Sequence, residues 1–532
     1  MKNIKLSLIY LLSLFALNSC TGDLDVTPKD DDIFTADNFY AQPGAYKQAL
    51  AGVYGNLSMT GTSGSDNSLL QGIDAGTSHY GRCLWYLQTL TTDEVIWSYE
   101  NDAGTRELQR NTWNADNPLL LGMYSRLMVE VAIANEFLKQ STPEKVSARG
   151  ITGTEAADIA LYRQEARVLR ALVYYNMIDL FGKGTFVTEN DPVNFQGPEY
   201  SAQQLYDFVE SELTEVIPTL KGARTNEYGR VDQGVANMIL AKLYLNAEVY
   251  TGTPKYAECA AKCSEIIAGG YTLNTNYLNN FTADNELSPE MIFTLQSDGN
   301  VTQNYGATTV MVNGQVGSIE QNGLDFGVSA AAWSGALRLR KQFVEKFNGA
   351  EFLNDDRNTI IGGDERTIDI TDIANRDQGY ILGKFSNISS TGVPGPNSAF
   401  VNTDFPLFRL ADAYLMYAEC AVRNAAGTSI TQALSYVNAL RMRAHGGSNI
   451  GNIGASELTP DFILDERARE LHWEAHRRQD LIRFGKYTGG SYNWAWKGNG
   501  ANGVAIPGHF RLFPLPTASL ASNPNLTQNT GY

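Results

Sequence analysis

Apolar residues recurring at helical spacing, with alanine at the tight positions, constrain this chain more than any other feature. In residues 156–181, Leu161, Ala166, Leu169, Leu172, Tyr175 and Ile178 fall on one face, and Gly182 follows as a stop signal. The pattern returns over residues 201–220, 234–250, 256–268, 410–425, 430–444 and 459–483. Helix pairs with Ala and Tyr at repeated positions predict a mainly α fold with tetratricopeptide-like packing, in which each pair buries its face only by stacking on a neighbour. Spacing between pairs varies around the expected repeat, so an irregular helical bundle stays open as the alternative from periodicity alone. About half of the residues are expected to be helical, against the usual third. Residues 272–405 are different: rich in Gly, Asn, Thr and Ser, they read as a large insertion of long loops and short strands. Ordered loops on a rigid helical frame are where binding residues commonly sit. No Pro-, Ser- or charge-rich spacer divides residues 45–532, which read as a single domain.

The first 19 residues are a targeting segment. Lys2 and Lys5 precede an apolar run from Leu6 to Leu17, too short for a bilayer, which needs about 20 apolar residues. Leu17-Asn18-Ser19-Cys20 then sets small residues just before a cysteine, the pattern of a bacterial lipoprotein signal with cleavage before Cys20 and acylation of it. Residues 20–44 begin polar and acidic, with Asp30-Asp31-Asp32, and read as a lipidated tether. The expected location is therefore a membrane surface, held by lipid at Cys20.

Net charge is −17, and without the two signal lysines it is −19, from 39 basic against 58 acidic residues. Such a surface repels phosphate backbones and argues against a nucleic-acid partner. A neutral polymer would be held by stacking and hydrogen bonds rather than charge. Beyond Cys20 the cysteines are Cys83, Cys259, Cys263 and Cys420, too few for a disulfide framework. Cys259 and Cys263 have the spacing of a metal half-site, but no second pair completes it, and buried thiols are the plainer reading. His472 and His476 lie one turn apart with Glu474 in the wrong place for a zinc-protease helix, in a run where Glu466, Arg469, Glu470, Glu474, Arg477 and Asp480 suit i,i+4 ion pairs. No catalytic residue or cofactor is expected. The loop carboxylates Asp284 and Glu286 are where a structural calcium ion would sit.

Three stretches resemble the SusD/RagB family of Bacteroidetes outer-membrane nutrient-binding lipoproteins. They run from Glu165 through Asp179-Leu-Phe-Gly182, from Asp404-Phe-Pro-Leu-Phe-Arg409 through Ala418-Glu419, and from Asp465 through Arg477-Arg478-Gln479-Asp480 to Gly485. Shorter matches at Asn246-Ala-Glu-Val-Tyr-Thr-Gly252, Ala283-Asp284-Asn285-Glu286, Asn304-Tyr305-Gly306, Trp494-Ala-Trp-Lys-Gly498 and Gln528-Asn-Thr-Gly-Tyr532 bring the likeness to the family's starch-binding member. The resemblance implies a SusD-like fold, no catalysis, and a TonB-dependent transporter of the SusC type as partner. It implies an aromatic arc for a curved α-1,4-glucan at Tyr99, Tyr305 and Trp333, with polar contacts from Asp74, Arg82 and Asn101. Tyr99 stands where that starch binder has a tryptophan, and the loop around Trp333 differs in length. The residue types suit sugar recognition, since aromatic faces lie against sugar C–H surfaces, Asp accepts from hydroxyls, Arg donates and Asn does both. The alternatives are another glycan with the same fold and partner, a surface glycosidase with paired carboxylates, and a purely structural lid.

Overall fold

The computed structural model describes residues 35–192, 194–316, 322–363 and 365–532. The signal segment, Cys20 and the first part of the tether lie outside the described residues. About 48% of the chain is helical.

The frame is a stack of helices, most of them bearing on the next in the chain. Its members are α1 (Ala45–Ser58), α2 (Pro118–Gln140), α3 (Gly153–Phe181), α4 (Ala202–Val216), α5 (Gln233–Leu245) and α6 (Tyr256–Ala268). After the insertion, which contains α7 (Ala307–Gln315), the stack resumes with α8 (Leu410–Val422), α9 (Ile430–Ala444), α10 (Pro460–Leu471) and α11 (Arg477–Arg483). Contacts run α2 to α3, α3 to α4, α4 to α5, α5 to α6, α6 to α8 and α8 to α9, so the stack passes directly across the insertion. Local chemistry sets the ends. Ser201 and Gln204 form a reciprocal capping box at α4, Asp232 accepts from Gly234 N at 2.8 Å to start α5, and Gly182 closes α3 with φ of 69°. Cys259, Cys263 and Cys420 are free thiols buried where α6 meets α8, and Cys83 is likewise free and buried.

Four short strands matter for the site: β1 (Val95–Trp97), β2 (Met291–Leu295), β3 (Leu337–Leu339) and β4 (Phe405–Arg409). β2 and β4 pair antiparallel, Met291 opposite Arg409 and Leu295 opposite Phe405, and close the neck of the insertion. β1 pairs antiparallel with β3, Trp97 opposite Leu337, which fastens the N-terminal aromatic segment to the insertion.

The structure corrects the sequence reading in three places. Residues 35–44 are not tether: a helix over Ala36–Tyr40 packs Tyr40 against Tyr46 at 4.8 Å, under the Arg149 guanidinium, while Asp37 pairs with Arg149 at 2.6 Å. The insertion is not all loop and strand, since α7 is buried along its whole length. Residues 459–483 are two helices, because Trp473 and Ala475 adopt φ of 62° and 60°. The break buries the Trp473 ring against Trp85 at 5.8 Å and lets Trp473 N donate to Glu94 Oε2 at 3.0 Å.

The charged run does not make the expected i,i+4 pairs, although Arg469 pairs with Glu466 three residues before it at 2.8 Å. It is buried and pairs across the fold. Arg409 donates to Glu290 (2.7 Å), Glu470 (2.7 Å) and Glu474 (2.6 Å), Arg443 to Glu290 (2.9 Å) and Glu470, and Lys384 to Glu474 (2.7 Å). Arg357 and Arg441 reach Glu466, and Arg477 grips Asp93 at 2.7 Å. Burial raises the pKa of Glu466, but the guanidiniums of Arg357, Arg469 and Arg441 outweigh it and pull it down to about 2. Glu290 and Arg409 flank β2 and β4, so the network locks the neck of the insertion to α9 and α10.

Candidate functional site

Two loops and one turn converge beside β1 and α7. Asn304 fixes the first loop: its Oδ1 accepts from Gly306 N at 2.7 Å and its Nδ2 donates to Ser58 O, at the end of α1, at 2.8 Å. Tyr305 is held between them. The second loop carries Trp333 on a tight reversal in which Ala332 and Ser334 both take left-handed conformations, with φ of 37° and 56°. Backbone strain of this kind persists where the surroundings over-determine it. Here Trp333 N donates to Asn313 O of α7 at 3.0 Å, and Gly335 N to Val316 O at 2.8 Å. The turn 74–78 supplies the third side: Thr77 N donates to Asp74 Oδ1 at 2.9 Å and Thr77 Oγ1 to Asp74 O at 3.0 Å.

The rings form a cupped surface. The Tyr305 and Trp333 centroids are 6.4 Å apart with planes tilted by 39°, and the Tyr99 hydroxyl donates to Trp333 O at 3.2 Å. All three are half-buried. Trp97 of β1 lies beneath as a buried floor, edge-on to Trp333 at 5.8 Å and to Tyr99 at 5.6 Å, with its indole N–H donating to Asp102 at 2.9 Å. The Arg82 guanidinium donates to the Tyr86 hydroxyl at 2.8 and 3.0 Å. Gly76 seats Asp74's turn against both Arg82 and Tyr305: a Cβ there would lie 2.9 Å from Tyr305 Cβ and 3.3 Å from Arg82 Nη1. Asp74 and Asn101 are exposed. His79, next to the turn, is pushed down to about 3 chiefly by burial, then by the Arg126 charge, and is neutral at physiological pH.

Asp74, Arg82 and Tyr305 thus meet around Gly76, Tyr99 and Trp333 adjoin them, and Asn101 lies two residues beyond Tyr99. Arg82 is more buried and more engaged than a free sugar donor would be. The sequence reading missed two neighbours. Phe400 extends the ring surface, 5.0 Å from Tyr305 and tilted by 61°; a lone aromatic in the polar run 395–400 was its signal. Arg376 places its guanidinium 4.6 Å from the Tyr99 ring centroid; nothing local in the sequence marks it.

Both Asp284 oxygens are engaged, Oδ1 by Ser390 N (2.7 Å) and Thr282 Oγ1 (2.8 Å), Oδ2 by Ser390 Oγ (2.6 Å), so this carboxylate fastens a loop. Among the described residues no group of three or more His, Cys, Asp or Glu side chains is arranged to hold a metal ion. His472 and His476 are directed to different partners, Arg469 O and Lys242 Nζ.

The model of the SusD family matches residues 358–532. That segment holds Arg409, Glu470 and Glu474 but none of Asp74, Arg82, Tyr99, Asn101, Tyr305 and Trp333. The chain is 32% identical to the starch-binding protein SusD of Bacteroides thetaiotaomicron, over 99% of this chain and 98% of the relative. It is 23% identical to SusD-like protein P25 of Formosa agariphila, over 99% of each. Among solved structures, a SusD homolog from Bacteroides thetaiotaomicron is similar with a TM-score of 0.71 and 20% identity, covering 93% of this chain and 98% of the other. Surface glycan-binding protein A from the same organism, in complex with laminarihexaose, is similar with a TM-score of 0.68 and 20% identity, covering 92% and 99%. These structural likenesses bear on the fold.

Proposed function

Because the chain belongs to the SusD family, whose members here are glycan-binding proteins, we propose that it captures an α-1,4-glucan at the cupped surface of Tyr305, Trp333 and Tyr99. The tilt between the rings carries this reading. The Tyr305 and Trp333 planes, inclined by 39°, suit successive sugars of a chain that curves; a flat ribbon would need coplanar platforms. Stacked rings supply apolar area at low entropy cost, and Asp74, Arg82 and Asn101 supply acceptors and donors at one rim. The starch-binding relative supports the linkage. The neighbour that holds laminarihexaose keeps a second reading open, a curved β-1,3-glucan in the same cup.

The protein acts without catalysis in this reading. Lipid on Cys20 anchors it to the outer face of the outer membrane, and bound oligosaccharide passes to a SusC-like TonB-dependent transporter. Among the described residues no helix is long and apolar enough to cross a membrane, in keeping with a lipid anchor. One acyl chain binds a membrane only marginally, so stable anchoring needs more than one. Cys20→Ala is expected to abolish fatty-acid labelling and release the protein from the outer-membrane fraction.

Affinity electrophoresis of the detergent-solubilised protein tests the ligand. Amylopectin in the gel is expected to retard it, and laminarin less. Retardation by laminarin alone selects the second reading, and reducing-sugar release from starch would make the protein a glycosidase.

A further inference from the structure

The turn that carries Arg376 is built around a different arginine. Arg338 of β3 is fully buried, and its Nη1 donates to Gln378 O at 2.8 Å, while further N–H groups reach the carbonyls of Asn375 and Ile373. Gln378 Oε1 accepts from the backbone N–H groups of Thr371 and Asp372, each at 2.8 Å, and Arg366 Nη1 donates to Arg376 O at 2.9 Å. Across the β1–β3 pair, Arg338 lies opposite Ile96, three residues before Tyr99. One pair of strands therefore fixes both Tyr99 and the turn that lays Arg376 on its ring, and the juxtaposition belongs to the frame.

The side chain itself is uncommitted. It is half-buried, its guanidinium stacks on Tyr99 at 4.6 Å, and among the described residues its N–H groups make no hydrogen bond or ion pair. With its central carbon over the Tyr99 ring, the guanidinium keeps N–H donors that no protein group among the described residues uses. A guanidinium fork matches two oxygens side by side. Adjacent hydroxyls on a pyranose present such a pair. Internal residues of a 1,4-linked glucan keep O2 and O3 free and adjacent. In a 1,3-linked glucan O3 is the linkage oxygen, and no internal residue has two adjacent free hydroxyls.

We infer that Arg376, stacked on Tyr99, reads the adjacent O2/O3 hydroxyl pair of a 1,4-linked glucan and sets linkage preference in the cup. This deepens the glycan reading above and rests on it. Tyr99 then contributes to the cup as the seat of this donor, beside the Tyr305 and Trp333 rings.

Titration calorimetry on the full-length, detergent-solubilised protein tests this with maltoheptaose and laminariheptaose, for wild type, Arg376→Ala and Arg376→Lys. Arg376→Ala is expected to weaken maltoheptaose binding about tenfold and to change laminariheptaose binding by less than about twofold. Arg376→Lys keeps the charge without the fork and is expected to fall between. Arg376→Ala with unchanged maltoheptaose affinity overturns the inference, as does an equal loss for both glucans or a Lys variant equal to wild type. A Tyr305→Ala variant run alongside separates the two levels. Its loss of binding with no effect of Arg376→Ala leaves the cup as the site and removes the linkage reader. Wild type that binds no maltoheptaose overturns both.

Discussion

At the neck of the insertion, Arg409 is buried and donates to Glu290, Glu470 and Glu474. Beside the cup, Arg376 lies over one aromatic face and, among the described residues, has no ion-pair partner. The two regions use the same chemistry to opposite ends. In the neck, every charge removed from water is matched by a close partner, and the network fixes where the insertion leaves the helical stack. At the cup, rings and donors remain partly in water, held in place from below by Trp97, α7 and the Arg338 carbonyl cradle, and so stay available to a ligand. The rigidity of the first region lets the second remain unsatisfied without collapsing.

The sharpest way to break this contrast is to remove one partner at the neck. Glu470→Ala leaves Arg409 and Arg443 buried with fewer counter-charges, a change that typically costs about 3–5 kcal/mol. The expected outcome is a large fall in melting temperature or failure to fold, with glycan binding lost only in step with folding. Isolated loss of binding from a fully stable variant would show that the neck and the cup are not separate in this way.

The reverse experiment acts on the cup. Truncating a central aromatic anchor commonly costs about 2 kcal/mol or more of binding, a factor of about 30. Tyr305→Ala and Trp333→Ala are each expected to lose retardation in amylopectin gels with the helical circular dichroism unchanged. Gly76→Ala sharpens the comparison from inside the cup. Its methyl group would crowd Tyr305 Cβ, and overpacking of this kind costs about 1–3 kcal/mol. Its expected signature is weaker maltoheptaose binding with a smaller stability loss than Glu470→Ala.

The smallest expected effect concerns pH. In α2, Glu130 is fully buried and accepts from Asn56 Nδ2 at 2.9 Å; burial pushes its pKa up to about 8 against that bond. A carboxyl raised in the folded state keeps its proton while the unfolded chain loses it, so its contribution is full below about pH 4.5 and is lost as pH rises toward 8. Glu94, raised to about 8 by burial and by Asp93, acts in the same direction. Melting temperature is expected to fall from about pH 5 to about pH 8, and Glu130→Gln to flatten that slope while leaving glycan affinity at about pH 7 unchanged. An unchanged slope would show that Glu130 is ionised in the native protein.

Much of the frame was legible because helix faces repeat and helix ends carry their own chemistry, as at Gly182 and Ser201. α1 and α2 were not singled out; α2 buries residues on most of its circumference and gives little periodic contrast. The break at 473–475 was also hidden, because a charged amphipathic run reads as solvated unless its distant partners, such as Asp93 and Glu290, are known. Tyr99, Tyr305, Trp333, Asp74, Arg82 and Asn101 came from family resemblance rather than spacing; the three rings adjoin one another, and Arg82 and Tyr305 both face Gly76. Arg376 was out of reach, since strand pairing and a buried arginine in another segment decide its position, while Phe400 carried only the weak signal of a lone aromatic in a polar run.

The central claim is that a rigid helical stack presents a glycan site made by the rings of the insertion. The most direct test is calorimetric titration of maltoheptaose into the full-length Tyr305→Ala/Trp333→Ala double variant, with its thermal melt measured on the same preparation. The account predicts no detectable binding and a cooperative melt within a few degrees of wild type. Binding within about twofold of wild type, on a scale where about 1.4 kcal/mol is tenfold, would contradict it and move the site away from the cup.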